Sequence, residues 1–191
     1  MKPSDFFIPL NLPDIHYELE SADLEKLLTL PSGHDFFDAR SFKIPKSVIE
    51  VSNKLNLTLL DKFTLLFKIV PKYDSAIHTD GRNETQRRYI GINWVWNAED
   101  TYMSWYKLKS NDPNKIKVKK FDDKPIPFYA RKNTIKLHSE NLTGCNLVNL
   151  NYPHNITNNS NNVRYALSLG FKESLTWEDA KNLVKKNGLL R

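Results

Sequence analysis

Apolar and polar positions follow two different patterns along the chain. Before about residue 60, stretches with helical periodicity alternate with extended ones, and residues 21–28 and 45–55 predict helices. From about residue 57, apolar, β-branched and aromatic runs alternate with breaks rich in Asn, Asp, Pro and Gly. These runs are 65–70, 76–79, 89–96, 101–108, 116–118, 134–137, 145–150, 152–156 and 163–171. Short runs at such spacing are typical of an antiparallel sandwich or barrel.

The end of the chain returns to a helical pattern. Thr176 and Asp179 have the spacing of a capping box, and Gly188 is suited to stop the helix that follows. We therefore expect a single domain over residues 1–191. It would have a mixed helical N-terminal part up to residue 60, a β core over 60–172 and a C-terminal helix within 173–191.

The amino-acid composition excludes several kinds of protein but does not indicate a single function. The formal net charge is +6, which hints at acidic partners, although Lys107 to Lys120 and the C-terminal basic residues supply much of it. Cys145 is the single cysteine, which excludes a disulfide within the chain and a cysteine-based zinc cluster. No apolar run approaches the ~20 residues of a membrane span, and the first residues lack a secretory signal. We expect a cytoplasmic protein without a membrane partner.

The most informative segment is Ser75-Ala76-Ile77-His78-Thr79-Asp80. Residues two apart on a strand point to the same face, so His78 and Asp80 present an imidazole and a carboxylate side by side. His154 lies in a later β run, 76 residues after His78. Together they would complete a two-histidine, one-carboxylate facial triad, which typically holds non-haem Fe(II), although zinc or manganese also suits it.

Arg164 follows His154 by ten residues and begins another β run. From that position it can point into the same barrel mouth, where its planar guanidinium suits pairing with a carboxylate. Ala166 and Ser168 share its strand face, and their small side chains would leave room for a ligand.

In this order and spacing, the four residues resemble the Fe(II)/2-oxoglutarate-dependent oxygenases of the double-stranded β-helix fold. The likeness covers roughly residues 60–172 and is nearest in style to small prolyl-hydroxylase-like members of phage or bacterial type. It implies a mainly β, jelly-roll or cupin-like double-stranded β-helix with flanking N- and C-terminal helices. It also implies an enzyme that oxidises its substrate with release of succinate and CO2.

The resemblance also implies roles for individual residues. His78, Asp80 and His154 would bind Fe(II), and Arg164 would hold the far carboxylate of 2-oxoglutarate. Asn93, on the strand after the His-x-Asp motif, and Ser168, four residues after the arginine, would contact the co-substrate.

Other features have plain structural interpretations or leave alternatives open. Trp94 and Trp96 share a strand face and are expected to pack under flanking helices rather than to stack on bases. Arg82 and Arg88 follow the His-x-Asp motif, where they would meet an anionic substrate or remain solvated loop charges.

Two other functions use the same ligands. A cupin-like barrel would hold a metal or a ligand without oxygenase chemistry. An AlkB-like oxygenase would act on nucleic acid, but its second arginine is missing, since Gly170 stands at that position. A small-molecule or peptidyl substrate is therefore preferred to nucleic acid.

Overall fold

A computed structural model describes residues 1–31, 33–80, 89–110, 116–121 and 124–191. These residues form three α-helices and thirteen β-strands. The helices are α1 (Ser21–Leu28), α2 (Lys46–Leu55) and α3 (Trp177–Lys186). The strands are β1 (Phe7–Pro9), β2 (His34–Asp38), β3 (Leu65–Ile69), β4 (Tyr73–Asp74), β5 (Ile77–His78), β6 (Ile90–Trp96), β7 (Thr101–Leu108), β8 (Ile116–Phe121), β9 (Lys124–Tyr129), β10 (Thr134–Glu140), β11 (Gly144–Asn149), β12 (His154–Asn158) and β13 (Arg164–Leu169).

The strands form two antiparallel sheets, which confirms the prediction of a mainly β protein. The six-stranded sheet has the order β1-β11-β6-β13-β3-β2. The seven-stranded sheet has the order β10-β7-β12-β5-β9-β8, with β4 also paired to β12. The two sheets together are those of a β-sandwich.

The central strand β6 buries side chains on both of its faces. Between the sheets lies a compact apolar core that includes Val95, Met103, Trp105 and Ala166. The outer face of the six-stranded sheet is covered by the helices, and residues of α1, α2 and α3 pack there with Trp94 and Trp96 in a second core. The alternation of apolar side chains along β6 thus supplies both layers.

Trp94 and Trp96 lie in this outer core, as the sequence predicts. They are 1% and 8% exposed, and each indole nitrogen donates a hydrogen bond to the N-terminal segment. Trp94 Nε1 donates to the carbonyl oxygen of Pro13 at 3.0 Å, and Trp96 Nε1 donates to Asp14 Oδ1 at 2.8 Å. The two rings therefore fasten the N-terminal segment across the sheet.

The capping box at the start of α3 is also confirmed. The Asp179 backbone amide donates to Thr176 Oγ1 at 3.1 Å, and the Thr176 amide donates to the Asp179 carboxylate at 3.3 Å. These two bonds satisfy donors that a helix N-terminus leaves free. No helix in the described part of the chain is long and apolar enough to cross a membrane.

β9 shows how two prolines fit inside a sheet. Proline is usually confined to edge strands, bulges or strand ends, yet Pro125 and Pro127 both lie within β9, which has a neighbouring strand on each side. Pro127 accepts a hydrogen bond from the Thr79 amide, so its missing N–H faces β5 and not β8. The β5–β9 ladder covers only Ile77↔Tyr129 and His78↔Phe128, so it ends before the prolines.

Candidate metal centre

Two neighbouring strands bring the three candidate ligands together. β5 and β12 are antiparallel, and His78 lies directly opposite His154 in their register. Asp80 follows β5 by two residues. In this segment Ile77 and Thr79 are buried and alternate with the partly exposed His78 and Asp80. Because successive side chains of an extended chain point to opposite faces, His78 and Asp80 face the same way, toward His154.

The ligand atoms of the three residues form one compact cluster. Asp80 Oδ1 lies 3.4 Å from His78 Nε2 and 3.5 Å from His154 Nε2. The two imidazole rings have centroids 4.7 Å apart, and the ligand atoms all lie within 4.8 Å of one another. His154 is 5% exposed, whereas His78 and Asp80 are 18% and 24% exposed, so the cluster is open to one side.

Hydrogen bonds to the backbone determine which ring nitrogen is available. His78 Nδ1 lies 2.9 Å from the Ala76 carbonyl oxygen, and His154 Nδ1 lies 2.9 Å from the Tyr152 carbonyl oxygen. A carbonyl oxygen only accepts, so each Nδ1 carries the hydrogen and donates it. In the neutral rings both Nε2 atoms are therefore left with a lone pair aimed at the cluster, which is the arrangement that metal-binding histidines need.

The Asp80 carboxylate raises the proton affinity of His78. Burial of His78 disfavours the charged imidazolium, but the hydrogen bond and the negative charge of Asp80 outweigh it. The pKa of His78 is consequently raised above its usual value. In the absence of a metal, the cluster thus attracts a positive charge to the place where a cation would bind.

The spacing of the donor atoms fits a metal ion. With bonds of about 2.1 Å, two ligand atoms lie ~3.0 Å apart at a right angle and ~3.4 Å apart at a tetrahedral angle. The two nitrogen–oxygen separations of 3.4 and 3.5 Å need only a few tenths of an ångström of adjustment. His78, Asp80 and His154 could therefore hold a metal ion through two nitrogens and one oxygen.

Arg164 is buried in the same interior. It begins β13 and shares its strand face with Ala166, a member of the core between the sheets. Its side chain is 3% exposed, and Nη1 has no hydrogen-bond partner among the residues that the structure describes. Burial lowers the pKa of Arg164 to about 10, so the guanidinium still carries its charge at neutral pH.

An unpartnered buried guanidinium is costly unless an anion binds it. The interior therefore contains both a cluster suited to a cation and a separate cationic group suited to a carboxylate.

Asn93 and Ser168 contact each other in the structure. They are cross-strand partners in the β6–β13 ladder, and the Ser168 hydroxyl donates a hydrogen bond to Asn93 Oδ1. Ser168 shares the interior face of β13 with Arg164, so both lie on the strand surface that faces the seven-stranded sheet. Arg82 and Arg88, the residues predicted to meet the substrate, lie outside the described residues.

Sequence reasoning missed a polar network behind His154. Asn155 is fully buried, and its Nδ2 donates to Asp74 Oδ1 at 2.7 Å. Its Oδ1 accepts a hydrogen bond from the Tyr106 hydroxyl at 3.0 Å. Arg131 forms an ion pair with Asp74 on the outer side of the same network. These residues come from separate parts of the chain, so no local pattern marks them as partners.

The fold and the cluster indicate a β-sandwich protein with a possible metal site, but they do not indicate a particular family. The described chain is a β-sandwich whose interior contains a His/Asp/His cluster that could bind a metal. No protein-family model matches the sequence, and a search of curated proteins found no match.

Proposed function

We propose that the protein is a non-haem Fe(II)- and 2-oxoglutarate-dependent oxygenase that hydroxylates its substrate. The observation that carries this proposal is the presence of two complementary sites in one interior. Three residues that could bind a divalent metal lie on one sheet. The buried guanidinium of Arg164, whose Nη1 has no hydrogen-bond partner among the described residues, lies on the other. A dicarboxylate that chelates a metal at one end needs a cationic partner of this kind at its other end.

The strand pairing supports a double-stranded β-helix as the finer description of the fold. The pairs β7·β10, β6·β11, β5·β12 and β3·β13 are nested along the chain and alternate between the two sheets. A long hairpin folded over on itself produces this order, which is that of a jelly roll. β1, β2 and the β8–β9 hairpin extend the edges of these eight paired strands.

The metal-binding residues would act through charge and orientation. His78, Asp80 and His154 would provide three ligands on one side of the ion and leave the opposite side for co-substrate and oxidant. The carbonyl oxygens of Ala76 and Tyr152 hold the two rings in the orientation that directs Nε2 at the ion. The carboxylate leaves the site with one positive charge when a divalent ion binds.

Arg164 would position the co-substrate. Its guanidinium would pair with the far carboxylate of 2-oxoglutarate. That carboxylate would accept a hydrogen bond from Nη1 and neutralise the buried positive charge of the arginine. Ala166 lies on the same strand face, and its small side chain would leave room for the co-substrate. Bound Fe(II) and 2-oxoglutarate supply the oxidising chemistry, in which O2 and 2-oxoglutarate yield succinate, CO2 and a hydroxylated substrate. The apolar core around Trp105 and Met103 keeps water away from the interior.

The proposal can be tested by removing the same interaction from the protein and from the ligand. We expect Fe(II)-loaded protein, kept anaerobic, to bind 2-oxoglutarate more tightly than 2-oxobutyrate, which lacks the far carboxylate. The expected difference is about 30-fold or more, because the unpaired Arg164 charge costs roughly 2–5 kcal/mol. In Arg164→Met the preference should nearly vanish, while Fe(II) affinity stays within a few-fold of the parent.

Succinate release on admission of O2 completes the test. The parent should form succinate from 2-oxoglutarate in an Fe(II)-dependent manner, and His154→Ala should not. An equal affinity for the two oxo acids in the parent would contradict the role of Arg164. Tight metal binding without any succinate would instead indicate the cupin-like alternative, a barrel that holds a metal without oxygenase chemistry.

A further inference from the structure

The positive charge of the protein is concentrated in one part of the chain. Residues 107–132 contain nine Lys and Arg residues and three Asp residues. The excess of six equals the formal net charge of the whole protein, +6, so the remaining residues are balanced. Eight of the nine basic residues lie in the described pieces of this segment, 107–110, 116–121 and 124–132, whereas its three Asp residues lie outside the described residues.

This basic segment adjoins the metal centre on two sides. β9 is hydrogen-bonded to β5, the strand that carries His78. On the other side, Trp105 of β7 lies directly opposite His154, and Lys107 comes two residues later on the same strand face. Lys107 is thus a diagonal neighbour of His154, at about 7–8 Å between Cα atoms, within reach of a long side chain.

Three exposed lysines lie at the two ends of the segment. Lys107, Lys109 and Lys132 are exposed, and none has an acidic partner in the described part of the chain. The Lys109 amide donates to the Asn133 carbonyl oxygen at 2.9 Å, so Lys109 and Lys132 lie close together. Lysines on an edge strand such as β8 commonly prevent sheet association. Protection of a sheet edge does not explain the presence of Lys107, because its strand, β7, lies inside the sheet between β10 and β12.

Aromatic rings lie beside the cluster on its other flank. The Phe128 ring centroid is 5.9 Å from that of His78, and the hydroxyl of the adjacent Tyr129 lies 3.3 Å from Thr79 Oγ1. A nucleic-acid strand, which carries both phosphates and bases, matches a site with basic side chains on one flank and aromatic rings on the other. An acidic peptide would satisfy the charges but not use the rings.

We propose that the described part of the basic segment, with Lys107, Lys109, Lys132, Phe128 and Tyr129, binds single-stranded nucleic acid and presents a nucleotide to the candidate metal centre. As the substrate class of the proposed oxygenase, this rests on the proposed function; as a binding surface it rests on the charge distribution and on the rings of Phe128 and Tyr129. A duplex does not fit the recessed cluster, because His154 is 5% exposed and an enclosed site admits only an extruded or unpaired nucleotide. Gly170 replaces one arginine of the AlkB-type pattern but does not change the basic residues of this segment.

The test is binding of a fluorescein-labelled twelve-nucleotide oligo(dT) to the metal-free protein, followed by fluorescence anisotropy. Contacts to three phosphates would give a slope of about −2 for the logarithm of affinity against the logarithm of salt concentration. That corresponds to roughly 20-fold weaker binding for a fourfold increase in salt. We expect Lys107→Gln combined with Lys109→Gln to reduce the slope by about 1.4 and to weaken binding at low salt about tenfold.

A variant with the same change of charge provides the control. Lys185→Gln combined with Lys186→Gln alters two exposed lysines of α3, which packs on the six-stranded sheet away from the cluster. This pair should bind oligo(dT) as the parent does. An equal loss in both double variants would overturn the proposal, because it would reduce the effect to overall charge. Absence of binding by the parent at 50 mM salt would overturn it as well.

Two further probes separate nucleic acid from other polyanions. An abasic oligonucleotide of the same length keeps the phosphates but lacks bases, and it should bind about tenfold more weakly if the rings stack on bases. Oligoglutamate of equal charge should also bind more weakly, and equally tight binding would identify an acidic peptide as the partner instead. Because metal and 2-oxoglutarate are absent, these results do not depend on whether the protein is an oxygenase.

Discussion

At the scale of single residues, the carboxylate of Asp80 is the group that makes the cluster selective for a cation. It is the only anionic ligand of the three, and it lies within 3.5 Å of both histidine Nε2 atoms. We expect Asp80→Asn, which keeps the side-chain size, to weaken divalent-metal binding by more than ~100-fold. A direct ligand contributes more than the 10–100-fold that an outer partner typically does.

A titration with Fe(II) under anaerobic conditions measures the effect of Asp80→Asn. Asp14→Asn is a suitable control, because that carboxylate accepts a hydrogen bond from Trp96 and lies in the N-terminal segment. It should leave metal affinity unchanged. An Asp80→Asn protein that binds metal as the parent does would contradict the assignment of Asp80 as a ligand.

The pH dependence of metal binding follows from His78. Its pKa is raised because the hydrogen bond and charge of Asp80 outweigh the effect of burial. Metal binds the neutral imidazole, so affinity is complete above the raised pKa and is lost as pH falls through it. We expect the decrease to begin at a higher pH than for an ordinary histidine, whose pKa is 6.5. Metal titrations between pH 5.5 and 8.5 measure it.

The same pKa has the opposite consequence for the metal-free fold. A raised native pKa means that the His78–Asp80 pair stabilises the fold below the unfolded value of 6.5, and that this contribution is lost as pH rises through the native pKa. Metal-free and metal-loaded proteins should therefore differ in the sign of their stability change over this range. A metal affinity independent of pH would contradict the assignment of His78 as a ligand.

At the scale of elements, β12 is held in place by the side chain of Asn155. Its amide connects β12 to Asp74 of β4 and to Tyr106 of β7, directly after the ligand His154. We expect Asn155→Ala to lower the free energy of unfolding by about 1–3 kcal/mol, because it leaves buried polar partners unpaired. We also expect metal affinity to fall about 10–100-fold, because His154 loses its support.

Thr157→Val is the matched control for Asn155→Ala. Thr157 lies on the same strand face and donates to the same Asp74 carboxylate at 3.0 Å, but it is two residues further from His154. It should cost less than 1 kcal/mol of unfolding free energy and leave metal affinity unchanged. Urea unfolding and metal titration of the two variants give both quantities. Equal effects on metal affinity would show that the network is merely structural.

At the scale of the whole molecule, the candidate metal site joins segments far apart in sequence. His78 and His154 belong to different strands of one sheet, so a bound ion links them in the folded state and not in the unfolded chain. Metal at 100 times its dissociation constant adds about 2.7 kcal/mol of stability. For a chain of this size that raises the melting temperature by about 5–11 °C.

Circular dichroism melting with and without Fe(II), under anaerobic conditions, measures this shift. His154→Ala should melt at the same temperature in both cases, since it lacks a ligand. Arg164→Met should keep the shift because its residue does not contact the metal. A shift of equal size in His154→Ala would place the stabilising ion somewhere other than the cluster.

Several features of this protein follow from the sequence alone because their causes are local. The alternation of side chains on a strand is set by the backbone, so His78 and Asp80 share a face whatever surrounds them. Most of the β runs read from the pattern became strands with nearly the same ends, and the capping box at Thr176 formed as predicted. Trp94 and Trp96 are buried, as expected for two large rings on one strand face, because each ring removes a large apolar area from water when it is covered.

Other features were decided only by the tertiary structure, because they depend on pairing between distant segments. The sequence does not state that β1 and β2 join the two edges of the six-stranded sheet, or that β9 lies beside β5. Lys68 is an example at one residue: it is 2% exposed, and its ammonium donates to the carbonyl oxygens of Leu28 and Leu30 at the end of α1. A lysine in a strand does not by itself indicate such a partner.

The features of the candidate site fall into the same two groups, those that the sequence predicts and those that only the tertiary structure determines. The type of each residue and its place on a strand were readable from the sequence, since both follow from covalent geometry. That His154 lies directly opposite His78 depends on the register of two strands joined by more than seventy residues. That Arg164 is buried with Nη1 unpartnered depends on how the second sheet closes over it. The register of the strands and the packing of the two sheets depend on the free energy of the whole core. A local stretch of sequence therefore does not determine them.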